Sequence, residues 1–264
     1  MNGQANMLVF DLEIIREDNG RFLFRVSNAS DEAFLWFRPG DKNLEIIPGN
    51  GISGILTLHI SQIRRLLHNK RLSTFYSGFR IRFCIQALKD VPAFTDRKRI
   101  IALDRRGGNH FIYPQEESPA SLTEIFCDGS LVQETGAAAI AIVIKSAVGK
   151  YRLETFEVNE NKSCQLELLA AIQGLKLTSD QESVRIVSDS LYVRKGLTEW
   201  IIHWRLNNWY TIQGSRVKNR ENWIQFDALT ENRYVEFQWI KARSGHFEQS
   251  LADLYAKDLT RTVS

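Results

Sequence analysis

Thr123-Glu-Ile-Phe-Cys-Asp128-Gly-Ser-Leu-Val132 is a strand-like run with a carboxylate inside it. Two more such runs, 137–146 and 151–158, follow across short turns, which predicts an antiparallel meander. Residues 165–177 then change to helical spacing, with Leu166, Leu169, Ala170, Ile172 and Leu175 apolar. A buried strand is predicted over 183–188. A helix follows over 191–202, running on toward Trp204, and another over 219–229. A strand over 234–240 and a last helix over 250–259 complete the order βββαβααβα. That order implies an α/β fold, a mixed five-stranded sheet with helices on its faces.

Upstream, the pattern is different and describes a smaller strand-rich α+β domain over 1–112. Leu8, Phe10, Leu12 and Ile14 alternate, Asp18-Asn19-Gly20 is a turn signal, and Phe22, Phe24 and Val26 resume the alternation, predicting a hairpin. Short strands are predicted over 32–37 and 44–47. Ser61 is read as the cap of a helix with Ile63, Leu66 and Leu67 on one face. Phe79, Ile81, Phe83 and Ile85 alternate with Arg80, Arg82, Cys84 and Gln86, and Arg97-Lys98-Arg99 and Arg105-Arg106 follow. Basic groups among aromatics suit a nucleic-acid platform or a partner surface, and equally the solvated face of a small domain. The polar stretch 113–121, with two of the five prolines, reads as a linker to a second domain over 122–264.

Composition narrows the function classes. With 264 residues, 44% hydrophobic and 25% charged, the chain is an ordinary globular sequence, which excludes collagen, coiled coil and wholesale disorder. No apolar run approaches the ~18 residues of a membrane span, and the first residues lack a signal-peptide pattern. Cys84, Cys127 and Cys164 have neither metal-ligand nor redox spacing, so a reducing, cytoplasmic compartment with free thiols is expected. The net charge is only +3. Residues 121–264 carry 17 Lys/Arg against 18 Asp/Glu, so that half is no polycation and would need a local basic strip to hold nucleic acid.

Four acids stand where this topology gathers side chains: Asp128 in the first strand, Glu167 in the first turn of the first helix, Asp189 at the end of the buried strand, and Asp253 in the first turn of the last helix. Singly, each has an ordinary explanation as a turn, a solvated helix acid, a helix cap or, for Ser250 with Asp253, a capping box. Jointly they converge on the edge where α/β sheets place their sites. Four carboxylates there repel one another unless hard cations, Mg²⁺ or Mn²⁺, sit between them. Two such ions can stabilise both the attacking and the leaving oxygen of a phosphodiester displacement.

The four blocks resemble the type 1 ribonuclease H family over residues ~122–260. Phe126-Cys-Asp128-Gly-Ser130 is similar to its first-strand Asp-Gly-Ser, Gln165-Leu-Glu167-Leu-Leu-Ala-Ala to its second-acid helix, Ile186-Val-Ser-Asp189-Ser190 to its third acid, and Ala252-Asp253-Leu-Tyr-Ala256 to its fourth. The resemblance implies a metal-dependent endoribonuclease that cuts the RNA strand of RNA–DNA hybrids with two Mg²⁺ or Mn²⁺ ions held by Asp128, Glu167, Asp189 and Asp253. It implies nucleic-acid contacts from Ser130 and Gln165. The acid-free segment 204–220 resembles the family's basic handle, so Arg205, Trp209, Arg216, Lys218 and Arg220 are expected to grip the DNA strand, with at least one Trp buried.

The chain also departs from the family pattern. Where many members carry a His ten residues before the fourth acid, this chain has Arg243, and His246 is seven before it. A shifted loop would let His246 serve in that place, or Arg243 would contact the scissile phosphate; the alternative is that His246 is a structural loop residue. The turn before the second acid reads Ser163-Cys164-Gln165 instead of Asn-rich. A non-catalytic hybrid or single-strand binding module within a larger complex is the alternative. Other duplexes as substrate, and a protein partner reached through residues 1–112, also stay open.

Overall fold

The computed structural model describes residues 8–49, 51–68, 70, 72, 75–85, 100–102, 111–112, 122–231 and 233–262. The predicted linker 113–121 and the basic residues 97–99 and 105–106 lie outside them. The chain divides into two compact units, one mainly residues 7–95 and the other mainly 96–264.

The first unit is an antiparallel sheet, ordered β4-β3-β2-β1-β5, from β1 (Leu8–Asp18), β2 (Arg21–Ser27), β3 (Glu32–Arg38), β4 (Asn43–Ile46) and β5 (Arg80–Ile85). The predicted hairpin forms: β1 pairs with β2 through Asn19 and Gly20, both at positive φ (50° and 73°), as a two-residue turn matched to strand twist requires. Period-two alternation sends Phe10, Leu12, Ile14, Phe24, Leu35 and Phe83 into one core. That core is closed by α1 (Gly51–Leu58) and α2 (Ile60–His68) through Ile52, Leu56, Ile63, Leu66 and Leu67. Ser61 is not a cap, because α2 begins at Ile60. The alternate residues form a polar face, where Glu13 pairs with Arg25 (2.5 Å) and Arg80 (2.8 Å) and Asp11 with Arg82 (2.8 Å). Trp36 on that face carries the guanidinium groups of Arg16 and Arg21 at 5.3 and 4.3 Å.

The second unit has the expected five-stranded mixed sheet, β10-β9-β8-β11-β12, with two short strands added at its edge. Its meander is β8 (Thr123–Leu131), β9 (Ala138–Lys145) and β10 (Tyr151–Val158), all antiparallel; β11 (Ser183–Ser188) runs parallel to β8 and to β12 (Tyr234–Ile240). Both added strands, β6 (Ile100–Ala102) and β7 (Phe111–Ile112), pair with β12, although the sequence division places them in the first domain. Helix α3 (Ser163–Leu177) and α6 (Arg220–Thr230) pack on one face around Ile125, Ile142, Ile186, Val235 and Phe226. Arg233 finishes α3 by donating to the carbonyls of Leu175 (3.0 Å) and of the cap residue Thr178, and so satisfies end groups the helix leaves open. Helix α7 (Phe247–Thr262) lies over the other face, where Tyr151 and Ser130 hydrogen-bond its Glu248 and Thr260.

The predicted helix over 191–202 is a longer helical run. It consists of α4 (Leu191–Lys195), a wider π-helical turn over Gly196–Trp200, and α5 (Ile201–Leu206). A Cβ on Gly196 would come within 2.0 Å of the Trp223 ring, so only glycine fits there. Trp223 of α6 (Arg220–Thr230), just beyond the segment 204–220, is fully buried and donates to the Tyr192 hydroxyl (2.9 Å), while Trp204 and Trp209 within that segment are partly buried against the same core.

A row of alternating charges also crosses the sheet: Lys145 on β9, Glu124 on β8, Arg185 on β11 and Glu236 on β12, at 2.8, 3.2 and 2.7 Å. Glu236 is fully buried and also accepts from the Tyr234 hydroxyl (2.9 Å). Burial pushes the Glu124 carboxyl up, but Lys145 and Arg185 outweigh it and hold it below the usual carboxylate range. Among the described residues no helix is long and apolar enough to cross a membrane.

Candidate active site

Strand register sets the first two acids. Val187 of β11 is level with Phe126 of the parallel β8. Asp189 and Asp128 each lie two residues beyond that last pair, at the same end of neighbouring parallel strands. Pairing between the two strands stops just before them, so the acids stand where the sheet opens.

The third acid is brought in by a glycine. A Cβ on Gly129 would lie 2.5 Å from Leu166 Cβ, 3.2 Å from the Leu166 carbonyl carbon and 3.4 Å from the Glu167 nitrogen. Helix α3 therefore crosses β8 in direct contact at Gly129, which carries Glu167 to Asp128. Glu167 lies in the second turn of α3, not the first, because the helix starts at Ser163. Asp253 is likewise in the second turn of α7, which starts at Phe247, so Ser250 and Asp253 form no capping box. The cap of α4 is Ser190, whose hydroxyl oxygen accepts from the Val193 N–H (3.1 Å).

The acids act on one another electrostatically. Burial, then Asp189, push the Asp128 carboxyl up to about 8, with Asp253 and Glu167 adding to the rise against a 2.8 Å hydrogen bond from the Gly129 N–H. Burial and Asp189 raise Glu167. Burial and Asp253 raise Asp189. The thiol of Cys127, fully buried behind them, is pushed far up by burial and by Asp128, Asp189 and Glu167. Two of the acids are turned toward protein partners: Ser190 donates to Glu167, and Lys257 pairs with Asp253 at 2.5 Å. Among the described residues no group of three or more His, Cys, Asp or Glu stands as a ready metal shell. The donor set is all oxygen, half-buried and short of positive charge, and it fits hard divalent cations.

Lys257, Ser190 and Gln249 join this site without having been singled out from the sequence. The four-residue step from Asp253 to Lys257 on one helix was the signal available for the first. Gln249 is buried and donates to the Cys127 carbonyl (3.1 Å), with Asp189 Oδ1 at 3.5 Å. Trp239 donates to the Asp189 carbonyl (3.0 Å) and carries the Arg194 guanidinium over its ring at 5.1 Å.

The remaining predicted residues are distributed as follows. Gln165 is half-buried in the first turn of α3, and Ser130 hydrogen-bonds Thr260 (3.2 Å). Arg243 is exposed in a tight turn at φ 55°, and His246 is half-buried just before α7. The cation acting on Asp189 is Lys257. In the handle, Arg216 and Lys218 are exposed. Arg205 is not free: its Nε is 2.8 Å from both carboxylate oxygens of Asp227 on α6, an acid outside the acid-free segment. Trp209 packs against the core, and Arg220 opens α6 at 3.8 Å from Glu221. A groove of about 740 Å³ runs between Tyr192, Trp200, Trp204 and residues 210–213, with Lys218 in its lining.

A half-open α/β sheet with four carboxylates at its edge is the architecture of a phosphodiester hydrolase that works with divalent cations. The family model for RNase H matches residues 120–261. Ribonuclease HI of Haemophilus ducreyi is 34% identical over 135 residues, covering 50% of this chain and 86% of that protein. Ribonuclease H of Actinobacillus pleuropneumoniae is 37% identical over 141 residues, covering 52% and 88%. Among solved structures, the foamy viral protease-reverse transcriptase in complex with RNA/DNA hybrid shares the fold at a TM-score of 0.50 and 13% identity, covering 98% of this chain and 39% of that one. The chain belongs to the ribonuclease H family. It is a ribonuclease H, a nuclease of a family that uses divalent metal ions.

Proposed function

We propose that this chain cleaves the RNA strand of RNA–DNA hybrids by two-metal-ion hydrolysis, leaving 3′-hydroxyl and 5′-phosphate ends. The observation that carries the reading is the register of Asp128 beside Asp189, with Glu167 and Asp253 close enough to raise their neighbours' proton affinity. Asp128, Glu167, Asp189 and Asp253 would hold two Mg²⁺ or Mn²⁺ ions, which supply positive charge to the attacking and leaving oxygens. Ser190 fixes the orientation of Glu167, and Lys257 that of Asp253. Gln165 and Ser130 face the minor groove, where RNA shows its 2′-hydroxyls. Arg216 and Lys218, both exposed, take backbone phosphates, while Arg205 serves structure through Asp227. Arg243, exposed near the fourth acid in sequence, and His246 remain the candidates for the place of the family histidine.

The test is cleavage of end-labelled hybrid, RNA duplex and DNA duplex in Mg²⁺, in Mn²⁺ and in EDTA. The expected result is cutting of the RNA strand of the hybrid alone, abolished by EDTA. Binding of hybrid without cutting in either metal would replace the enzyme by a binding module, and equal cutting of RNA duplex would change the substrate.

We further propose that residues 1–112 contribute nucleic-acid or partner binding that positions the nuclease. Support comes from the polar sheet face, where Arg16 and Arg21 stack on Trp36. Trp36→Ala in the full chain is expected to weaken hybrid affinity by about fivefold or more, as loss of one stacking contact does. Affinity and salt dependence both unchanged would leave this unit a protein-contact element.

A further inference from the structure

We propose that Gln249 is a positioning residue that sets the spacing of the acid-bearing strand ends. The inference rests on the two-metal reading of the site.

One amide group reaches two strands. Gln249 Nε2 is 3.1 Å from the carbonyl of Cys127, the residue before Asp128, and 3.5 Å from the Asp189 carboxylate. Both neighbours are acceptors, so the amide orientation is dictated: the opposite flip would set Oε1 against two oxygens. Gln249 also stands one helical turn before Asp253, on the same side of α7. A single neutral donor thus ties together the backbone beside the first acid, the side chain of the third, and the helix that presents the fourth.

The arrangement has a cost. Gln249 is only 6% exposed, and its Oε1 has no hydrogen-bond partner among the described residues. An apolar side chain of the same length would avoid burying an orphaned acceptor. The donor half of the amide is the half that touches the site. A neutral donor adds no charge to the cluster, so it can orient Asp189 without competing with a cation for it. A lysine at the same place would neutralise the acid that the cation needs.

The full-length chain is the material for the test, with Mn²⁺ as the probe and no nucleic acid present. Bound Mn²⁺ is read by electron paramagnetic resonance in the wild type, Gln249→Met, Asp189→Asn and the double variant. Gln249→Met keeps length and bulk but removes the donor, and is expected to weaken Mn²⁺ binding by about tenfold, the scale of lost support to a metal ligand. The double variant should bind Mn²⁺ within about twofold of Asp189→Asn alone, because the amide acts through that carboxylate. In the cleavage assay, half-saturating Mg²⁺ should rise about tenfold while kcat at saturating Mg²⁺ stays within about threefold. If Gln249→Met does not fold by circular dichroism, Gln249→Asn carries the test; it keeps the amide one methylene short and is expected to weaken Mn²⁺ about threefold or more. Unchanged Mn²⁺ affinity in the folded variant, or fully additive losses in the double variant, overturns the proposal while leaving the two-metal reading intact. Absence of Mn²⁺ binding in the wild type overturns both.

Discussion

Replacing Asp128 by Asn is expected to stop cleavage and stabilise the metal-free protein at the same time. The rate should fall by at least about a thousandfold, because Asp128 is the acid whose carboxylate the other three all act upon. The stability effect has the opposite sign. The Asp128 carboxyl is raised from an ordinary 3.8 to about 8 by burial and by Asp189. Between those values the folded state holds a proton that the unfolded state has released, so stability falls as pH rises through that window. Asn does not titrate. Its advantage over wild type should therefore be absent below pH 4, grow with pH, and level off above pH 8, at on the order of 2–4 kcal/mol after allowance for relaxation. Saturating Mg²⁺ should erase the advantage, since the cation removes the repulsion that Asn relieves. Denaturant melts at pH 4, 6 and 8, with EDTA or with Mg²⁺, would show it. An Asn variant no more stable than wild type at pH 8 in EDTA would mean that the acids do not strain one another.

Gly129→Ala is expected to cost about 2–4 kcal/mol and to take most of the activity with it. The added methyl would overlap Leu166 Cβ at 2.5 Å and press on the α3 backbone at 3.2 Å, which cannot turn aside as a side-chain tip can. Helix α3 must lift from β8, and Glu167 moves with it. A displacement of an ångström at a reacting centre is enough to lose about two orders of magnitude in rate. Unfolding followed by tryptophan fluorescence suits this variant, because five of the six tryptophans lie between Trp200 and Trp239. An Ala variant with wild-type stability would show that the close approach of strand and helix is not required.

Much of this arrangement was legible in the residues. Alternation and helical spacing located the five main strands of the second unit and α3 and α6 to within a few residues, because each buries one regular face. The acids were legible as a set because strand ends and helix starts meet at one edge. What pattern did not reveal depended on partners distant in sequence. Arg205 reads as a free cation until α6 brings Asp227 to it. Helix α1 has glycines and β-branched residues that argue against a helix, and it forms because Ile52 and Leu56 complete a core. The first turns of α3 and α7 precede their regular apolar spacing, so Glu167 and Asp253 sit a turn deeper than their neighbours suggested. Gln249 gives no local sign at all, since its importance lies in a carbonyl and a carboxylate from two other elements.

The row Lys145–Glu124–Arg185–Glu236 works as a vernier for the reaction centre. β11 is short, with Val184, Ile186 and Val187 interchangeable in kind, and hydrophobic burial alone would tolerate its sliding by two residues, which returns every side chain to the same face. Such a slide would shift Asp189 by roughly 6.6 Å along the strand relative to Asp128. It would also drag Arg185 out from between Glu124 and Glu236 and strand a fully buried anion, a penalty of about 3–5 kcal/mol. Charges at the far end of the strands thus meter the distance between two carboxylates they never touch.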